Sequence, residues 1–251
     1  MTAGDGKKFA LFFGCSFVYG EGVQDQETLP ARFAEESGLR AYNYGYGGWG
    51  PQHMLARLTE TRIEDEVGER EGIAVYQFLG FHVARAAGTM RVLWPAFARS
   101  PYYTLDGDKL VRAGSFVSGR PWRTRLYRWL RKSNILARLD VDLPRVGAPE
   151  LALTVRMIDA SAAAFRTRFP GGRFVVLLYP QCAFEENRNC RLAKELMPLL
   201  DAAHLEYVDL SRLPLHELTS GRETIARDGH PSPEAYRVVA RELARALGVK
   251  R

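Results

Sequence analysis

Short runs that are apolar at every position alternate along the chain with longer stretches in which apolar residues return every third or fourth position. Phe9 to Phe13 is one such run, stopped by Gly14. A strand covered on both faces reads this way. Thr28 to Ser37 reads as a short helix closed by Gly38, Arg40 to Tyr44 as a second strand, and Gly45 to Gly50 as a glycine-rich turn. Pro51 stands where a helix starts, and Met54, Leu55, Leu58 and Ile63 carry an apolar face to about Val67. Ile73 to Leu79 is the third strand. Further on, Leu151, Val155, Ile158, Ala162, Phe165 and Phe169 recur at helical spacing before Pro170, Gly171 and Gly172, and Phe174 to Tyr179 is again apolar throughout. A helix from about Cys190 to Ala203 and a short strand at Glu206 to Leu210 follow. In the last helix Ser232 caps, Pro233 takes the first position, and Tyr236, Val239, Ala240, Leu243 and Leu247 form a stripe opposite Arg237, Arg241 and Arg245.

The order β-α-β-α-β, insertion, α-β-α-β-α predicts an α/β fold: a parallel sheet with helices on both faces and a ligand crevice at the carboxyl ends of the strands. The rhythm breaks only over about 88–149. That segment holds a predicted hairpin, Tyr102 to Leu110 turning at Asp106 and Gly107, and a basic helix. We read residues 1–251 as one domain, with the 88–149 insertion lying over the active face.

Composition places the chain among globular proteins, since 46% of its 251 residues are hydrophobic and 25% charged. Three cysteines, Cys15, Cys182 and Cys190, rule out a disulfide framework and show no metal-ligand spacing with the five histidines. No cofactor is implied. The first ten residues lack the apolar run of a secretory signal and no stretch approaches the ~20 apolar residues of a membrane span, so the expected location is cytoplasmic. A net charge of +6 favours anionic partners.

Three turns carry possible chemistry. Ser16 follows the first strand at Gly14-Cys15-Ser16, where a hydroxyl can face the crevice among backbone N–H groups; the plain alternative is a turn serine. Asn43, Gly45 and Gly48 follow the second strand, and glycine lets a backbone N–H approach a ligand closely. Asp228 and His230 stand just before the last helix, a carboxylate beside an imidazole that it could orient. Alone each is weak. Together they resemble the SGNH hydrolases, also called GDSL esterases or lipases. Gly14 to Ser16 is similar to that family's first block, with Cys15 in place of the usual aspartate; Asn43, Gly45 and Gly48 are similar to its second, and Asp228 with His230 to its last.

That resemblance implies a three-layer α/β/α fold of flavodoxin-like type and acyl transfer without a metal. It implies Ser16 as nucleophile, His230 as general base, Asp228 as its orienter, and the N–H groups of Ser16 and Gly48 as oxyanion donors. Two features depart from the family pattern. The loop after the third strand, Leu79 to Arg85, holds no asparagine, and His82 is the expected replacement donor. The aspartate also precedes the histidine by two positions instead of three, with Arg227 in the usual place. Cys15, adjacent to the expected nucleophile, is expected to point into the core.

In the insertion, Arg120, Arg123, Arg125, Arg128, Arg131, Lys132 and Arg138 are interleaved with Trp122, Tyr127 and Trp129, with no acid from Gly119 to Leu139. The arginines suit an anionic ligand, while Trp122, Leu126, Trp129, Leu130 and Ile135 are expected to pack onto the domain. The leading expectation is an ester hydrolase that removes an O-acyl group, acetyl above all, from a carbohydrate or small-molecule ester. An O-acyltransferase would use the same residues; a non-catalytic glycan or anionic-ligand binding module would keep only the fold. A nucleic-acid partner ranks last.

Overall fold

The computed structural model describes residues 8–182 and 187–249. The chain runs β1 (Lys8–Gly14), α1 (Ser16–Tyr19), α2 (Leu29–Ser37), β2 (Arg40–Gly45), α3 (Pro51–Glu60), β3 (Glu71–Phe78) and α4 (Phe81–Ala87). The hairpin β4 (Pro101–Asp106) and β5 (Lys109–Ser115) is followed by α5 (Phe116–Gly119), α6 (Pro121–Leu130) and α7 (Asn134–Arg138). The second half holds α8 (Ala148–Arg168), β6 (Arg173–Leu178), α9 (Arg188–Ala202), β7 (Glu206–Asp209), α10 (Leu215–Leu218) and α11 (Pro233–Leu247). Five strands form a sheet in the order β2-β1-β3-β6-β7, parallel at every junction. This is the expected three-layer α/β/α arrangement.

Why every position of β1 is apolar follows from that layering. Phe9, Leu11 and Phe13 face the side covered by α3, α8 and α9, whereas Ala10 and Phe12 face α2 and α11. Phe9 meets the rings of Phe165 and Phe169 edge-on at 6.2 and 4.7 Å, contacts that add to burial worth ~2–3 kcal/mol per large side chain. At the other end of the chain, Ser232 accepts a hydrogen bond from the Ala235 N–H and Pro233 opens α11, as the capping pattern predicts.

Three expectations need correction. The helix from Pro51 stops at Glu60, where the Thr61 hydroxyl turns back to the Arg57 carbonyl at 2.7 Å; Ile63 and Val67 are buried as expected, but a separate turn delivers them. Cys182 and Cys190 are joined in a disulfide, their Cα atoms 5.0 Å apart, so the chain carries one bridge although three cysteines build no framework. On α6 it is Thr124 and Tyr127 that are buried and Leu130 that is partly so, leaving Trp122, Leu126 and Trp129 exposed, with Ile135 of α7. The inward stripe is fixed by the small core of Met90, Leu93, Phe97 and Phe116, onto which Tyr127 packs. Cys15 is fully buried, as expected. Among the described residues no helix is long and apolar enough to cross a membrane.

Candidate active site

At the end of β1 the backbone turns at once into α1, of which Ser16 is the first residue. So tight a return needs positions without a Cβ. One on Gly14 would lie 2.5 Å from Val18 Cγ2, and one on Gly45 would lie 2.4 Å from the Tyr19 nitrogen. Asn43 fastens the turn from the neighbouring strand: its Nδ2 donates to the carbonyls of Val18 (3.0 Å) and Tyr19 (3.2 Å), and its Oδ1 accepts from the Gly45 N–H (2.9 Å). The asparagine thus holds the serine's helix against the sheet.

The imidazole arrives from the far end of the sequence, 214 positions away. His230 Nε2 lies 2.9 Å from Ser16 Oγ. Its Nδ1 contacts Asp228 Oδ1, which also accepts the His230 backbone N–H at 3.1 Å. The two-residue spacing closes because Gly229 adopts φ +84° and Arg227 φ +64°, curling the carboxylate back onto the ring. An ionised carboxylate only accepts, so Nδ1 carries the proton and Nε2 is left to accept from the serine hydroxyl. The hydrogen bond from the His230 side chain, then that from its N–H, hold the Asp228 carboxyl below its usual range. Phe17 flanks the ring at 5.5 Å. Glu21 was not anticipated. Its Oε2 lies 3.6 Å from His230 Nε2, and its place between Gly20 and Gly22, both at positive φ, is the only sequence signal it carries.

The glycine loop after β2 is braced on three sides. The Tyr46 N–H donates to the Gly14 carbonyl at 3.3 Å, Arg85 donates to the Trp49 carbonyl at 2.8 Å, and Trp49 stacks on His53 at 5.1 Å. Gly48 has φ +81°, and a Cβ there would stand 3.1 Å from the ring of Trp94, a residue of the insertion. Among the described residues no protein acceptor takes the N–H of Ser16 or of Gly48.

His82 makes no hydrogen bond to Ser16, His230 or Asp228 among the described residues. It is fully buried, with Nδ1 3.0 Å from the Tyr76 hydroxyl and 3.4 Å from the Leu79 N–H. Burial, then the Arg85 charge, holds the ring neutral by pushing its pKa well below the usual value. Because the Leu79 N–H can only donate, Nδ1 accepts and the proton sits on Nε2, a buried donor without a partner among the described residues.

No protein-family model and no curated protein matches the sequence. Solved structures do match, over nearly its full length. A member of the lipolytic G-D-S-L family from Veillonella parvula aligns with a TM-score of 0.50 at 11% identity, covering 96% of this chain and 97% of its own. A protein from Slackia heliotrinireducens grouped with the SGNH hydrolases aligns at 0.53 and 14% identity, covering 96% and 100%. The fold is that of the SGNH hydrolases. A two-domain esterase active on acetylated mannans shares the SGNH fold at 0.50 and 12% identity, and there the match covers 97% of this chain but 49% of the other. Within this SGNH fold, Ser16, Gly48 and His230 come from three separate segments that gather at the carboxyl edge of the sheet, beside the place where strand order reverses from β1 to β3.

Proposed function

We propose that the protein is a carboxylic ester hydrolase that works through an acyl-enzyme on Ser16, with His230 as general base and Asp228 orienting the imidazole. The observation that carries the reading is the continuous chain Asp228 Oδ1, His230 Nδ1, His230 Nε2, Ser16 Oγ, ending at 2.9 Å on the serine. As Oγ attacks an ester carbonyl, its proton passes to Nε2 and the Asp228 carboxylate steadies the imidazolium. His230 then returns that proton to the leaving alkoxide, and a water attacks the acyl-serine by the same route.

Charge develops on the carbonyl oxygen, where the free N–H groups of Ser16 and Gly48 offer donors fixed in advance. His82 Nε2–H is proposed as the third, replacing the asparagine that the Leu79 to Arg85 loop lacks. One such donor supplies on the order of 3 kcal/mol of transition-state stabilisation. An O-acetyl group on a carbohydrate or small molecule is the favoured substrate class, supported by the fold shared with the two-domain esterase active on acetylated mannans. The insertion is proposed to help set the substrate, because Trp94 packs over the Gly48 loop.

The test is labelling of the purified protein with a fluorophosphonate, with mass-spectrometric mapping of the adduct. Modification at Ser16 that vanishes in Ser16→Ala supports the reading. A folded protein that takes no label at Ser16 and hydrolyses no member of an acetyl-ester panel overturns it.

A further inference from the structure

The insertion carries a surface that acyl transfer does not use. On α6, Trp122, Leu126 and Trp129 follow one another at helical spacing, and Ile135 of α7 and Leu139 at its end are exposed as well; all five are more than half exposed. Beside them stand Arg125, Arg128, Arg131, Lys132 and Arg138, none of which forms an ion pair with a described residue, whereas Arg123 donates from Nε to the Tyr127 hydroxyl on the inward side. The seventh base, Arg120, is also turned inward onto the Gly88 carbonyl and the rings of Tyr102 and Phe116. Trp122, Arg125, Arg128 and Trp129, with Pro95 and Val117, line a groove of about 690 Å³.

We propose that α6 and α7 form a docking face for an anionic lipid bilayer. Exposed tryptophans, branched aliphatics and flanking guanidiniums on one face are the chemistry of a helix lying in a membrane interface, with rings at headgroup level, aliphatics below and cations on the phosphates. The charge argues against the other occupants. A second copy pairing face to face would bring two acid-free clusters of five cations together. Single-stranded nucleic acid would satisfy the cations and stack on the tryptophans, but it offers nothing to Leu126, Ile135 and Leu139. The groove reaches Pro95, next in sequence to the Trp94 that packs on Gly48, so a docked bilayer would lie beside the Ser16 crevice. The proposal does not depend on Ser16 acting as a nucleophile, so vesicle binding and esterase activity fail separately.

The test is co-sedimentation of the whole protein with vesicles of phosphatidylcholine containing 30 mol% phosphatidylglycerol, against phosphatidylcholine alone, at about 0.1 M salt. Wild type should partition at least tenfold better into the anionic vesicles, with a blue shift in tryptophan emission. The exposed pair Trp122→Ser and Trp129→Ser should lower partitioning at least tenfold with an unchanged melting temperature. Replacing Arg125, Arg128 and Lys132 by Gln should lower it further, by about fivefold per charge, and remove the preference for anionic lipid. No partitioning of wild type, or partitioning indifferent to both sets of changes, overturns the proposal. So does a labelled oligonucleotide bound in place of vesicles, or a dimer that the tryptophan changes dissociate.

Discussion

Two imidazoles are held neutral inside this protein, and mild acid should weaken the fold through them. His53 lies beneath Trp49, with Nδ1 accepting from the Gly50 N–H at 3.2 Å and Nε2 2.9 Å from the Ser100 hydroxyl. Burial, helped by the Arg85 charge, pushes its pKa down to about 3. His82 is depressed well below the usual value for the same two reasons. In the unfolded chain each takes a proton near pH 6.5, so the unfolded state binds more protons and stability falls as pH drops below that value. Between pH 7 and pH 5 the linkage integral is about 2 kcal/mol for His53, His82 adds a loss of the same sign, and most carboxylates do not yet titrate there. Urea unfolding followed by tryptophan fluorescence at the two pH values reads this directly. His53→Gln should remove about 2 kcal/mol of the difference, and His82→Gln should reduce it further. A wild-type stability equal at pH 7 and pH 5, or variants that keep the full slope, would refute the reasoning.

Ser16→Ala should abolish labelling and cut kcat by about 10⁴-fold or more, while the melting temperature, read by circular dichroism, stays within a few degrees. Asp228→Asn, which removes the group that fixes the His230 tautomer, should lower kcat on an acetyl ester by about 10²-fold, less than for a fully enclosed carboxylate because Asp228 is partly solvated. Gly48→Ala places an L residue at φ +81° against Trp94 and should cost ~1–2 kcal/mol in urea unfolding and slow labelling. Gly47→Ala is its control, since a Cβ there meets nothing nearer than 3.8 Å. If His82 donates to the oxyanion, His82→Phe should lower kcat at least tenfold and His82→Asn should restore it; equal activity in the two variants would remove His82 from that role.

The sheet was legible because its strands are buried on both faces, so Phe9 to Phe13 and Phe174 to Tyr179 admit little else. The chain of Ser16, His230 and Asp228 was legible as two turns, and its closure across two positions depended on the positive φ of Arg227 as well as of Gly229. On α6 two stripes compete, Trp122-Leu126-Trp129 and Thr124-Tyr127-Leu130. Hydrophobicity favours the first, whereas distant partners, Met90, Phe97 and Phe116, select the second. Pairing of Cys182 with Cys190 likewise depends on where a strand end and a helix start come to rest. Glu21 became visible only when His230 came beside it.

Ser16 and His230 stand at opposite ends of the chain, and what brings them together is the docking of α11 on α2 and the sheet. With 214 positions between them, their contact is among the last that this stretch of chain can complete. The contact forms only once α11 packs on α2 and the sheet, so a chain cut before His230 would hold the serine without its imidazole. Any lesion that frays α11 should part His230 from Ser16 while leaving most of the sheet folded.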